Sequence, residues 1–126
     1  MPDKNTRPVF LDLTRIHFPI TAVVSIGHRI AGVLLFLAVP FAAWLLRLSI
    51  TDPAGYDAAA AFLRHGLVQG LLALLLWMLA HHFYAGIRYL LIDLDLGVDR
   101  VAARRSAWAV IAVALATLFL GVWLLS

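Results

Sequence analysis

Seven side chains able to carry charge, donate protons or bind a metal interrupt two otherwise apolar stretches of this 126-residue chain. Ser25, His28 and Arg29 fall in the first stretch, and His81, His82, Tyr84 and Arg88 in the second. Ser25 and Arg29 are at i and i+4, so a helix places them on one face. A hydroxyl and a guanidinium one turn apart form a donor pair able to grip a carbonyl or an anionic group. Read alone, Arg29 is equally a snorkelling side chain whose head returns to the membrane surface. The adjoining His28, three residues from Ser25, favours a buried polar site instead.

The second stretch points to different chemistry. His82, Gly86 and Tyr89 fall at i, i+4 and i+7 with Ala85 beside them, and thus share a helical face. Small residues one turn from a histidine leave a flat opening where a porphyrin could lie, and haem iron accepts an imidazole without any cysteine. For a single histidine in a generic span the usual outcome is a helix-packing hydrogen bond; the face shared with Gly86 and Tyr89 favours a ligand. His81 points about 100° away from His82 and cannot be the opposite axial ligand. A six-coordinate haem therefore needs a second histidine, either His28 or one from another polypeptide.

The elements that must position these groups follow from composition. The chain is 63% hydrophobic and 13% charged, against about 45–50% and about 25% in soluble domains. Crossing a hydrocarbon core of about 30 Å takes roughly 20 residues. The sequence predicts an all-α integral membrane bundle of three transmembrane helices over about 19–46, 66–92 and 106–126, forming one membrane-anchor domain over 1–126. Pro40 is expected to bend the first span. Thr51-Asp52-Pro53-Ala54-Gly55 marks a turn, and Asp57–His65 are expected to form one or two amphipathic turns. Gly66 and Gly70 form a small-xxx-small pair that would admit a neighbouring helix. The third span carries no ionisable group and reads as a packing or lipid-facing helix.

Cysteine is absent, which removes disulfides, iron–sulfur ligation and covalent haem attachment. Residues 1–18 are polar, without the apolar core of a signal peptide. Lys4, Arg7, Arg15, Arg29, Arg88, Arg100, Arg104 and Arg105 lie on or nearest one side, against Arg47 and Arg64 on the other. That asymmetry predicts a cytoplasmic N-terminus, including segment 1–18, and an external C-terminus. No basic stripe interleaved with aromatics is present, so nucleic acid is not an expected partner. His82 lies about 15 Å from the cytoplasmic end of its span, and Arg29 about 15 Å beyond Pro19. The costly polar groups, Arg88 among them, therefore gather in one half of the bilayer, where intramembrane ionisable groups are functional candidates.

Arg7-Pro8, the run from Phe18-Pro19-Ile20 through Ser25-Ile26-Gly27-His28-Arg29 to Ala31-Gly32, and His82-Phe83-Tyr84-Ala85-Gly86-Ile87-Arg88 continuing to Asp93 closely resemble two signatures of one family. That family comprises the cytochrome b subunits of bacterial succinate dehydrogenase, the larger membrane anchor of respiratory complex II. The resemblance covers the chain in length, span count and motif order. It implies a multi-pass protein of the bacterial inner membrane that takes part in enzyme activity as a subunit of a succinate:quinone oxidoreductase, leaving open what the isolated chain does. Its implied partners are a flavoprotein subunit, an iron–sulfur subunit and a smaller membrane anchor. Its implied cofactor is one haem b shared with that smaller anchor, and its implied substrate is ubiquinone. By position in the motifs, His82 matches the axial haem ligand, Ser25 and Arg29 match quinone-site residues, and His28 and Arg29 match contacts to the haem propionates. Gly86 and Tyr89 belong to the same haem pocket. Ala31 stands where the family usually has Ser or Thr, and Tyr89 where it often has His.

On this reading ubiquinone places one carbonyl near Ser25 and Arg29, and the positive charge of Arg29 stabilises negative charge developing on the quinone oxygen. Two alternatives stand beside it. One is a quinol–fumarate reductase anchor, whose direction depends on potentials set mostly in other subunits. The other is a non-redox three-span scaffold, which leaves unexplained why the polar groups gather at one depth.

Overall fold

A computed structural model of the protein describes residues 17–125. The Arg7-Pro8 pair, Lys4, Arg15 and nearly all of segment 1–18 lie outside the described residues. Four helices follow in order: α1 Ile20–Thr51, α2 Pro53–Arg64, α3 Gly66–Asp93 and α4 Arg100–Leu125, with no strand among the described residues. Three of them, α1, α3 and α4, are long and apolar enough to cross a membrane. The architecture is the all-α membrane bundle expected from the sequence.

The helix boundaries have local causes. Pro19 sits just outside α1 in an extended conformation, and its carbonyl accepts from the amides of Ala22 and Val23. α1 runs through Pro40 without interruption and ends at Thr51, five residues beyond the expected 46. Ser49 and Thr51 donate back to the carbonyls of Leu46 and Arg47 at 2.8 and 2.7 Å, tying polar residues into the last turn. Pro53 then forces Asp52 out of the helical region. Asp52 caps α2 by accepting from the Gly55 amide, and Pro53 occupies the first turn, where its missing N–H costs nothing.

α2 has twelve residues, three turns rather than the one or two expected. It lies against α1 because Gly55 and Ala59 present almost no side chain and are buried there. A methyl group on Gly55 would run into the Leu48 carbonyl. α3 closes with a left-handed residue, Asp95 at φ 60°, while Leu96 N–H reaches the Leu91 carbonyl and Asp95 N–H reaches that of Ile92. This is a Schellman ending, with aspartate in the place glycine usually takes. Asp99 then caps α4 through Oδ1, accepting from the amides of Val101 and Ala102 at 2.9 Å. That cap starts α4 at Arg100, ahead of the expected 106.

The core sits at the end of the bundle shared by the start of α1, the end of α3 and the start of α4. Val24, Ala85, Ala107 and Val110 are its buried members, with Ile20, Tyr84, Tyr89 and Ile111 packed around them. Two of the four are alanines, which lets the backbones approach closely. Much of the remaining apolar surface is exposed, Phe36 and Phe119 included, as suits helices whose solvent is lipid. Within this chain no heavy atom comes near a methyl group built on Gly66 or Gly70, so no helix of the chain itself uses that pair.

Candidate functional site

His28 is the hub of the α1–α3 seam. Its ring stacks on that of His82 with centroids 4.1 Å apart and planes 8° from parallel. On its other side it meets Tyr89 at 5.3 Å. Its Nε2 lies 3.7 Å from the position of a methyl group on Gly86. The flat opening expected beside Gly86 is therefore occupied in this chain by the edge of His28.

The two neighbouring histidines of α3 are held differently. His82 Nδ1 lies 3.1 Å from the backbone carbonyl of His28. A carbonyl only accepts, so Nδ1 must be the protonated nitrogen, and Nε2 carries the lone pair. An imidazole whose Nδ1–H is fixed by a backbone carbonyl is the form that binds a metal through Nε2. His81 is 8% exposed, and its Nε2 approaches the Val24 carbonyl at 3.4 Å. That contact engages its outer nitrogen and turns the ring into the α1 interface. The divergence of the two rings expected from helical rotation is thus present, and it commits each to a different carbonyl of α1.

His28 and His82 do not face one another across a shared centre. Axial ligands of one iron stand on opposite sides of it with their nitrogens converging, whereas these rings lie face to face. In this stacked arrangement the nitrogens of the two rings do not converge on one point. Among the described residues no group of three His, Cys, Asp or Glu gathers as a metal site. A metal at His82 would have to arrive with equatorial ligands of its own.

Ser25 is half-buried and Arg29 exposed on α1. With Gly32 they follow at i, i+4 and i+7, a stripe beside His28. The contacts of His28 and Gly32 with His82 and Gly86 bring this stripe alongside the His82–Gly86–Tyr89 stripe of α3. Among the described residues, two polar atoms near the seam are buried without a hydrogen-bond partner, the Tyr89 hydroxyl and Trp77 Nε1. Buried polar atoms are nearly always paired, so these two mark places where the chain alone is incomplete. Trp77 was not singled out from the sequence; an indole N–H within an apolar span was the available signal.

Arg88 does not belong to this group. It is 6% exposed and turned towards α4, where Nε donates to Ser106 Oγ at 2.9 Å and Nη2 to the Ala103 carbonyl at 3.2 Å. Its guanidinium also lies over the Tyr89 ring, 5.5 Å from the centroid. The third span, read from sequence as free of polar chemistry, receives Tyr84 as well, whose hydroxyl is 3.3 Å from Thr117 Oγ1.

Comparison with known proteins shows the family of the chain. Residues 3–121 match the family described as succinate dehydrogenase/fumarate reductase transmembrane subunit. The chain is 38% identical over 120 residues to the succinate dehydrogenase cytochrome b556 subunit of Coxiella burnetii, covering 94% of this chain and 96% of that one. It is 31% identical over 110 residues to the protein of the same name from Paracoccus denitrificans, covering 87% and 85%. To that from Rickettsia bellii it is 33% identical over 107 residues, covering 85% and 83%.

Proposed function

The chain belongs to the succinate dehydrogenase/fumarate reductase transmembrane subunit family, and from that premise we propose that it is the larger membrane anchor of a succinate:quinone oxidoreductase. In this reading His82 holds a b-type haem, and Ser25 and Arg29 form part of a ubiquinone site. The observation that carries the reading is the bond from His82 Nδ1 to the His28 carbonyl, which leaves Nε2 as the coordinating atom. The relatives' name, cytochrome b556, supports the cofactor. The smaller anchor would supply a further protein ligand to the haem, and the flavoprotein and iron–sulfur subunits would complete the complex.

When bound, the haem supplies a one-electron store beside the quinone site. The residues of this chain hold and orient. The His28 carbonyl fixes the His82 tautomer and raises the basicity of Nε2. Arg29 supplies positive charge, and the His28 ring an N–H donor, for the propionates. The Tyr89 hydroxyl, buried and unpartnered, is a donor held ready for the same pocket. Ser25 and Arg29, one turn apart, offer two donors to a quinone carbonyl. Arg29 stabilises the negative charge that develops there, and a low dielectric strengthens that effect.

The charge asymmetry supports a bacterial inner-membrane protein with its N-terminus cytoplasmic. Arg29, Arg88, Arg100, Arg104 and Arg105 lie towards one end of the bundle, and Arg47 and Arg64 towards the other. The family description also covers fumarate reductases; the relatives named above are all succinate dehydrogenase subunits, which favours succinate oxidation.

The test is a reduced-minus-oxidised absorption spectrum of the complex purified from membranes. His82→Ala is expected to abolish the b-type haem bands, and His81→Ala to leave them in place. A haem spectrum unchanged by His82→Ala would sink the ligand assignment. A succinate-oxidising complex with no haem signal would do the same while leaving the quinone site standing.

A further inference from the structure

Three glycines lie where α1 and α3 cross, and each faces a different histidine. A methyl group on Gly32 would stand 3.0 Å from His82 Cε1 and 3.4 Å from Nδ1. One on Gly27 would stand 2.8 Å from His81 Nε2. One on Gly86 would meet His28 Nε2 at an ordinary 3.7 Å. Helix propensity runs against both α1 glycines, since glycine ranks below every residue but proline in a helix interior. Close helix approach is the usual reason for glycine in membrane helices. Here what approaches is a pair of imidazole rings rather than a backbone.

We infer that Gly32 is a positioning residue for His82, setting the orientation of its ring; this inference rests on the reading of His82 as the axial ligand. The imidazole is a rigid plane with two torsions, so a push on Cε1 is passed directly to the adjoining Nε2. The ring is bounded on the other side by the stacked His28, so it cannot simply slide away. A displacement of a few tenths of an ångström stretches the 3.1 Å bond to the His28 carbonyl towards the limit of a hydrogen bond. Retreat of the whole of α3 is resisted by the buried cluster that Ala85 forms with Val24, Ala107 and Val110. Gly32 therefore admits His82 at the depth where its Nδ1–H meets that carbonyl. Gly27 does the corresponding work for His81, which the proposed chemistry does not use, and so serves as the matched control.

The experiment compares Gly32→Ala, Gly27→Ala and His82→Ala in the intact purified complex. Its readouts are haem per complex, the electron paramagnetic resonance g-values of the oxidised haem, and the midpoint potential. Gly32→Ala is expected to shift both the g-values and the potential, or to lose haem that Gly27→Ala keeps. Gly27→Ala is expected to leave both signatures in place. The inference is overturned if Gly32→Ala matches the unaltered complex, or if Gly27→Ala produces the same shift or the same loss of haem. Failure of the underlying reading is distinct: His82→Ala then retains an unaltered haem signature, whatever Gly32→Ala does.

Discussion

The two seams of α3 contain similar residue types and treat them in opposite ways. Facing α4, Arg88 donates to Ser106 and to the Ala103 carbonyl, and Tyr84 meets Thr117. Thr117 in turn donates to the Val113 carbonyl, so Tyr84 is the donor in that pair. These groups find their partners within the chain. Facing α1, the contact of His81 with Val24 is long, the Tyr89 hydroxyl is buried without a partner, and the Arg29 side chain is exposed. Polar groups in lipid are costly whichever seam holds them. On the proposed reading, the seam that the chain completes itself is structural, and the seam left open is completed by a ligand or another subunit.

Breaking the open seam should cost chemistry and leave the bundle standing. Arg29→Leu is expected to lower quinone reduction on the order of 10²-fold, the usual consequence of losing one stabilising donor. Succinate oxidation measured with an artificial acceptor should hold, and Ser25→Ala should follow the same pattern with a smaller loss. If both activities fall together, Ser25 and Arg29 belong with the structural groups and the contrast between the seams fails.

Breaking the closed seam should do the reverse. Arg88→Leu removes two hydrogen bonds made by a buried charge, each worth about 1.5–3 kcal/mol, although loss of the charge's own burial cost offsets part of this. Thermal unfolding of the detergent-solubilised complex should reveal the loss, while the haem band positions stay fixed in the material that remains assembled. A shift of those bands would move Arg88 into the cofactor site. The smallest effect is expected for Tyr84→Phe. It removes one interhelical hydrogen bond, for which about 0.6 kcal/mol is typical in membrane helices, and it should lower the melting temperature slightly without altering quinone reduction.

Much of the candidate site was legible because its signals are local. Ser25 and Arg29, and separately His82, Gly86 and Tyr89, share helical faces by spacing alone. Arg88 shows the limit of that reading. Its depth along α3 suggested membership of the histidine group, but its direction around the helix carries it to α4. The glycines show another limit. Gly27 and Gly32 are visible as letters of a motif, yet nothing in their spacing says that each faces an imidazole. The length of α2 was underestimated because the Asp52 cap and the fit of Gly55 against α1 stabilise turns that amphipathicity alone does not reveal.

Hydropathy and the 3.6-residue period determined that the chain spans the membrane three times, which polar residues interrupt those spans and which of them share a face. These properties belong to single segments, and lipid penalises every exception to them. Tertiary structure alone decided that the His28 carbonyl fixes the nitrogen His82 presents, that His28 stacks on His82 rather than opposing it, and that α4 claims Arg88. Each of these depends on the rotation and crossing of two helices, and those are settled by packing between residues distant in the chain, 54 positions apart for His28 and His82 and 18 for Arg88 and Ser106.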